Sequence, residues 1–350
     1  MAQFITFQPS DFFNSILYTG TLAENAITGV GFQPDMTWLK SRSAVKNHYL
    51  YDVARGATKN LAPNDTDVEA TTAEGLKSWQ SDGFTLGTSG GENGSAITYV
   101  SWNWYGGTTT GIATNGSTTI TPSAYSFSQT AGFSVIKYSG NSTSGAKVAH
   151  GLGKTPTMVF VKSLGSANNW SVYQKYVKPT SPEDWTMQID SGAAAADNAG
   201  MWNDTAPDDV NLTLGNDNGV NGGYDYVAYC YAPIQGKQIF GRYYGNANAD
   251  GPFIQTNFRP KFVVVKRLDG TTSWVMFTNP PYTENDASAP SLLMDTNGAE
   301  SAYTTIDFLS NGFKIRDSSS VINTNGSQNV YWAWAEFPFV SSNSKAGVAR

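Results

Sequence analysis

The chain has 350 residues, a formal net charge of −6, 14% charged and 13% aromatic residues, 35 glycines, two histidines and one cysteine. Its 22 basic residues are scattered, which argues against nucleic acid as a partner, and a lone cysteine excludes an internal disulfide. No apolar run of about 18 residues is present to cross a membrane as a helix, and Gly, Ser, Thr and Asn stand where helical proteins carry Ala, Leu, Glu and Lys.

In chain order, residues 1–15 read as a short N-terminal tail without the basic start or apolar core of a signal peptide. A first unit is expected over 16–105. It contains Tyr18 and Gly20, then GFQPDMTWLK at 31–40 with Pro34 six positions before Lys40, then His48, Tyr51, the strand opener Asp82-Gly83-Phe84 and the closing run YVSWNW at 99–104. Residues 106–131, rich in Gly, Ser and Thr, read as a linker. The second unit, 132–232, repeats the order: Tyr138 and Gly140, GKTPTMVFVK at 153–162 with Pro156 and Lys162, Trp170, Tyr173, and YVAYCY at 226–231. Its opener is reduced to Asp209-Val210-Asn211-Leu212. The third unit, 238–339, does so again, with Tyr243 and Gly245, NFRPKFVVVK at 257–266 with Pro260 and Lys266, Trp274, Phe277, Asn311-Gly312-Phe313 and NVYWAW at 329–334. Residues 340–350 read as a C-terminal tail.

Apolar residues alternate at period two in MTWLK, MVFVK and WVMF, with turn-forming Gly, Asn, Asp and Pro clusters between the runs. The expected fold is therefore all-β: three tandem antiparallel β-sandwich-like, jelly-roll-like repeat units. Each Pro is expected just ahead of its strand, where the missing N–H costs no ladder bond. Because only Ala232–Lys237 separates units two and three, those two should touch, while unit one should have more freedom.

Catalytic patterns fail on context. Gly87-Thr88-Ser89-Gly90-Gly91 fits the spacing of a nucleophile elbow but lies in a polar hairpin loop rather than between a strand and a helix. Gly153-Lys154-Thr155 lacks the earlier glycine of a phosphate loop, Val148 standing in its place. Asp65, Asp67 and Glu69, and the group Asn216, Asp217, Asn218 and Asp225, read as solvated turns, without the spacing of a calcium loop. No catalytic, cofactor-binding or metal-ligating residue is assigned, and Cys230 reads as a packing residue. The pairs Trp102 and Trp104, Tyr229 and Tyr231, and Trp332 and Trp334 each share one strand face, so they are either a sugar platform or core. Recurrence at matched sites, together with Trp170 and Trp274, favours core. Trp185 and Trp202, outside the pattern, are the candidates for contact with a partner or receptor.

The blocks TGVGFQPDMTWLKSR (28–42), YDVARGAT (51–58), SDGFTLG (81–87), YVSWNW, AGFSVIKYSGN (131–141) and HGLGKTPTMVFVK (150–162) resemble a repeat family found in virion proteins of tailed bacteriophages. The resemblance implies a non-enzymatic structural protein of the virion, associated with the tail or tail fibre, and no catalytic residue. The expected partners are other tail or capsid subunits, further copies of this chain and a host-surface glycan or protein, with no cofactor and no membrane insertion. A capsid decoration protein is the nearest alternative. A carbohydrate-binding module and a polysaccharide depolymerase are the alternatives from other classes. The unmatched loops 60–75, 178–209 and 279–304 are expected to carry the specific outside contacts.

Overall fold

The alternating runs form strands, and one strand order occurs three times. The structure, a computed structural model in which residues 7–279 and 290–338 are described, is almost wholly antiparallel β-sheet, with a four-residue α-helix at Ala199–Trp202. In each of three lobes an opening strand pairs with a closing strand, the closing strand with the strand that carries the lysine, and the lysine strand with a flanking strand. In the first lobe these are Phe13–Thr19, Thr98–Trp104, Met36–Ser41 and Tyr49–Asp52. In the second they are Phe133–Ser139, Asp225–Tyr231, Met158–Ser163 and Ser171–Gln174. In the third they are Gln238–Tyr244, Gln328–Pro338, Phe258–Arg267 and Val275–Thr278. The register agrees too: Lys40 lies opposite Val100, Lys162 opposite Val227 and Lys266 opposite Val330.

Three expectations need correction. Pro34 and Pro156 do precede their strands, but Pro260 lies inside the third lysine strand, at a bulge where the register shifts on either side of it. The 106–131 stretch is not a plain spacer: Ala124–Ser128 forms a strand that extends the second sheet beyond its opening strand. The 1–15 segment holds a turn of 3-10 helix at Pro9–Asp11 and the start of the first opening strand, where Phe13 is buried. Residues 1–6, 280–289 and 339–350, which include the expected C-terminal tail, lie outside the described residues.

Each large sheet has two covered faces. Its outer face packs on a small sheet from its own lobe: Asn25–Thr28, Gly83–Leu86 and Leu76–Gln80 in the first, Ala146–Ala149 and Asn211–Leu214 in the second, Phe253–Gln255, Gly312–Ile315 and Ile306–Leu309 in the third. The inner faces of all three sheets meet in one core. At its middle Trp104, Tyr231 and Trp334 form a triangle with ring centroids 5.5, 5.7 and 6.3 Å apart and interplanar angles of 75°, 74° and 73°. Behind each ring stands a Phe from its own opening strand, Phe13, Phe133 or Phe240, at 5.0, 5.1 and 5.7 Å. Aromatic side chains of this size each remove about 150–250 Å² from water, so the common centre is a main source of stability. The paired aromatics are thus core residues, but of a core that no single lobe contains.

Candidate functional site

The groups best suited to chemistry lie along the seams between lobes. A buried lysine is tolerable only if its ammonium meets acceptors. Lys40 Nζ donates to the carbonyl oxygens of Ser41 and Lys46, both at 3.0 Å, and to that of Asn297 in the third lobe at 3.2 Å. Lys162 Nζ donates to Asn168 O at 2.9 Å and to Thr66 O in the first lobe at 2.9 Å. Lys266 Nζ donates to Thr272 O at 2.6 Å and to Gly192 O in the second lobe at 2.8 Å. Each lysine therefore grips a carbonyl six residues further along its own chain and one from a neighbour, in cyclic order. Burial lowers all three to about 8, against the pull of Glu300 on Lys40, Asp190 on Lys162 and Asp295 on Lys266.

A ring crosses each seam in the same sense. Trp170 Nε1 donates to Ala62 O of the first lobe at 3.1 Å, Trp274 Nε1 to Gln188 O of the second at 2.7 Å, and His48 Nε2 lies 3.0 Å from Leu293 O of the third. The backbone N–H of each ring residue is held by a side chain: Asp190 and Asp295 at 3.1 Å, and Asn64 at 2.7 Å. Main-chain bonds from Glu300 to Arg42 O, Glu69 to Leu164 O and Ala195 to Leu268 O complete the matched set. The first lobe thus touches both others, and the expectation that it is freer than they are fails. The described parts of loops 60–75, 178–209 and 279–304 supply these acceptors, so they face neighbouring lobes.

The seam between the first and second lobes has an addition that sequence reasoning missed. Arg55 Nε lies 2.5 Å from Asp52 Oδ2, with both side chains fully buried, and the Tyr229 hydroxyl donates to the same oxygen at 2.6 Å. At the corresponding place Trp102 Nε1 donates to Thr278 Oγ1 across the first and third lobes at 3.1 Å. The fragment YDVARGAT carried the signal, since a carboxylate and a guanidinium three residues apart in a β-rich chain can fold back on one another.

Also unforeseen is an asparagine at the corner of every lobe. Asn93, Asn221 and Asn323, all fully buried, each donate through Nδ2 to two main-chain carbonyls and accept from one backbone N–H, that of Thr21, Asn141 or Asn246. This explains Gly20, Gly140 and Gly245: a Cβ there would lie 2.2, 2.1 and 2.2 Å from a carbonyl oxygen of the same corner. The only signal was an Asn six or seven residues ahead of Val100, Val227 and Val330, hidden among many turn asparagines.

The singled-out residues fall as follows. Trp170 and Trp274 and both members of every closing pair are buried. Trp202 is 2% exposed and packs edge-on against Tyr173, so it cannot meet a partner as expected. Trp185 is half-buried against the common centre, with Lys178 Nζ 3.8 Å from its ring centroid. Ser89 Oγ donates to one oxygen of the buried Glu92 carboxylate while the Tyr51 hydroxyl donates to the other. His150 is tied elsewhere, by Leu152 N to its Nδ1 at 3.2 Å and beside Asp208 O at 3.2 Å. Glu69 pairs with Arg55 and Lys59, Asp225 with Lys137, and Asp217 accepts from Gly219 N–H. Among the described residues no three His, Cys, Asp or Glu side chains are grouped to hold a metal. Burial raises the Cys230 thiol and keeps it protonated.

The chemistry of the arrangement is mutual attachment of the three sheets. Over residues 8–338 the chain matches the model of the domain of unknown function DUF7483 and belongs to that family. No curated protein and no solved structure matches it.

Proposed function

We propose that this chain is a non-enzymatic structural protein of tailed-bacteriophage particles, associated with the tail and acting by contact with other virion subunits and the host surface. The observation that carries the reading is the use of the reactive side chains. Lys40, Lys162, Lys266, His48, Asp52 and Arg55 are all buried or partly buried at seams and hydrogen-bonded within the body. The sequence blocks that resemble phage virion proteins supply the particle. A body whose lobes grip one another through main-chain acceptors suits a part that must hold its shape under load, and copies on one particle would add avidity to weak single contacts.

The test is mass spectrometry of purified particles, followed by incubation of the protein with host envelope glycans and, separately, with tail and capsid subunits. Recovery in the particle and binding to tail subunits are the expected results; binding to capsid subunits alone would move the protein to the shell. Release of shorter glycan products would overturn the non-enzymatic reading.

A further inference from the structure

The chain ties its lobes together at two seams and leaves the third untied. The 106–131 connection leads from the first lobe to the second, and Ala232–Lys237 leads from the second to the third. The first and third lobes are held to each other by non-covalent contacts. Across the two tied seams the bridging ring is a tryptophan, which cannot titrate. Across the untied seam it is His48.

The hydrogen bonds of His48 require the neutral ring. Nδ1 accepts from Trp38 Nε1–H at 2.9 Å, in an edge-on ring contact at 5.8 Å, so the proton sits on Nε2 and is donated to Leu293 O. A proton added at Nδ1 would set two donors against each other. The surroundings oppose the charge as well. From the lysine strand Lys40 faces the ring; Asn64 holds the His48 backbone and is itself bonded to Asn47; the third lobe offers main-chain groups of Leu293 and Thr296. Glu300, a carboxylate of this seam, pairs with Arg42 at 2.8 Å and faces Lys40. Burial first, and Lys40 second, hold the imidazole neutral down to about 3.

We propose that His48 is a proton-operated clasp, whose protonation opens the seam between the first and third lobes while the two tryptophan-bridged seams stay shut. The sign follows from linkage. An opened seam gives His48 to water, where it takes a proton near its ordinary value of 6.5, whereas the closed seam refuses it until about 3. Between these limits the open form gains about tenfold over the closed form for each pH unit of acidification. Opening would uncover the Trp102–Phe262 stack, 4.9 Å between centroids, which spans this seam.

Hydrogen exchange of the full chain between pH 7 and pH 4 tests the clasp, because the seams supply matched amides. Lys46 and Glu300 donate across the untied seam, Thr272 and Ala195 across the second–third seam, and Glu69 across the first–second. Protection at Lys46 and Glu300, taken relative to the other three, is expected to fall about tenfold per pH unit below about 6.5. The fall should vanish in His48→Trp, which installs the ring of the other seams, and in His48→Gln, which keeps a donor without a titration. An equal loss of protection at all five amides, or a pH dependence that persists in His48→Gln, would overturn the proposal. So would an imidazole that titrates near 6.5 by NMR while the seam stays protected.

Discussion

Along the closing strands, Trp102 and Trp104, Tyr229 and Tyr231, and Trp332 and Trp334 point inward, while the residues between and beside them point outward and differ in kind. Outward in the first lobe are Ser101 and Asn103, in a buried polar network. Thr37 Oγ1 donates to Asn103 Oδ1 at 2.9 Å, and Asn103 Nδ2 donates to Asn14 O at 3.1 Å and Ser101 Oγ at 3.0 Å. In the second lobe the same places hold Ala228 and Cys230, packed with Val159 and Val161. In the third they hold Tyr331 and Ala333, with Tyr331 edge-on to Phe313 at 5.4 Å. An outward residue answers only to groups of its own lobe and can change together with them. The inward residues line one core built from three lobes, and a change there must suit neighbours across the seams.

The largest expected effect sets the two faces against each other. Trp334→Ala removes a ring that touches Phe13, Trp104, Tyr231, Phe240 and Phe262, drawn from every lobe, and should cost about 3–5 kcal/mol in urea unfolding. Cys230→Ala, on an outward face, should cost about 1 kcal/mol. Equal losses would end the distinction between a shared and a private core.

Next in size is the clasp of the second lobe. Lys162→Met keeps the aliphatic stem but leaves the carbonyls of Thr66 and Asn168 without their donor, at an expected cost of about 1–3 kcal/mol by urea midpoint. An effect of opposite sign should appear with pH. Folding lowers Lys40, Lys162 and Lys266 from 10.5 to about 8, so between these values the unfolded chain binds more protons. Stability should therefore rise as pH climbs from about 8 towards 10. Above 10 it should fall, because burial raises Tyr18, Tyr138 and Tyr243 and the unfolded chain then loses those phenolic protons first. Lys237 and Lys261, also lowered by burial, add to the rise, so with Lys162→Met it should shrink but persist; an unchanged rise would mean that Lys162 does not contribute to it. The smallest effect belongs to Lys77→Ala. Its surface pairs with Glu24 at 3.3 Å and Glu74 at 3.9 Å are exposed, and the urea midpoint should stay within about 0.5 kcal/mol of the unaltered chain.

The same division of faces decides what the sequence made legible. Pro34, Lys40 and Trp102, with their counterparts, are periodic because every lobe builds the same strands and presents the same groups to its seams and to the centre, and that period gave the all-β class and the strand order of residues. Spacing by two told that Trp102 and Trp104 share a face, but it carries no information on whose residues lie across from it. The acceptors of the lysines were invisible, since Thr66, Gly192 and Asn297 contribute main-chain oxygens that leave no side-chain signature, from loops of unlike length. The strand Ala124–Ser128 was hidden by serines and threonines that also suit a spacer. His48 was visible as the odd ring at a matched site. What hid its meaning was the seam, which exists only once the lobes are assembled.

The triangle of Trp104, Tyr231 and Trp334 also limits how such a chain can grow. Solenoids lengthen by adding units at an end, because each unit touches only the next and terminal caps shield the last. Here every lobe both grips one neighbour and is gripped by the other, so there is no end at which to add. Two lobes would leave a side of the triangle in water, and a fourth would force the rings apart around a void that dispersion could not fill. The count of three is thus written into the shape of the aromatic centre, and descendants of such a chain are free to vary in their outer sheets but not in their number of lobes.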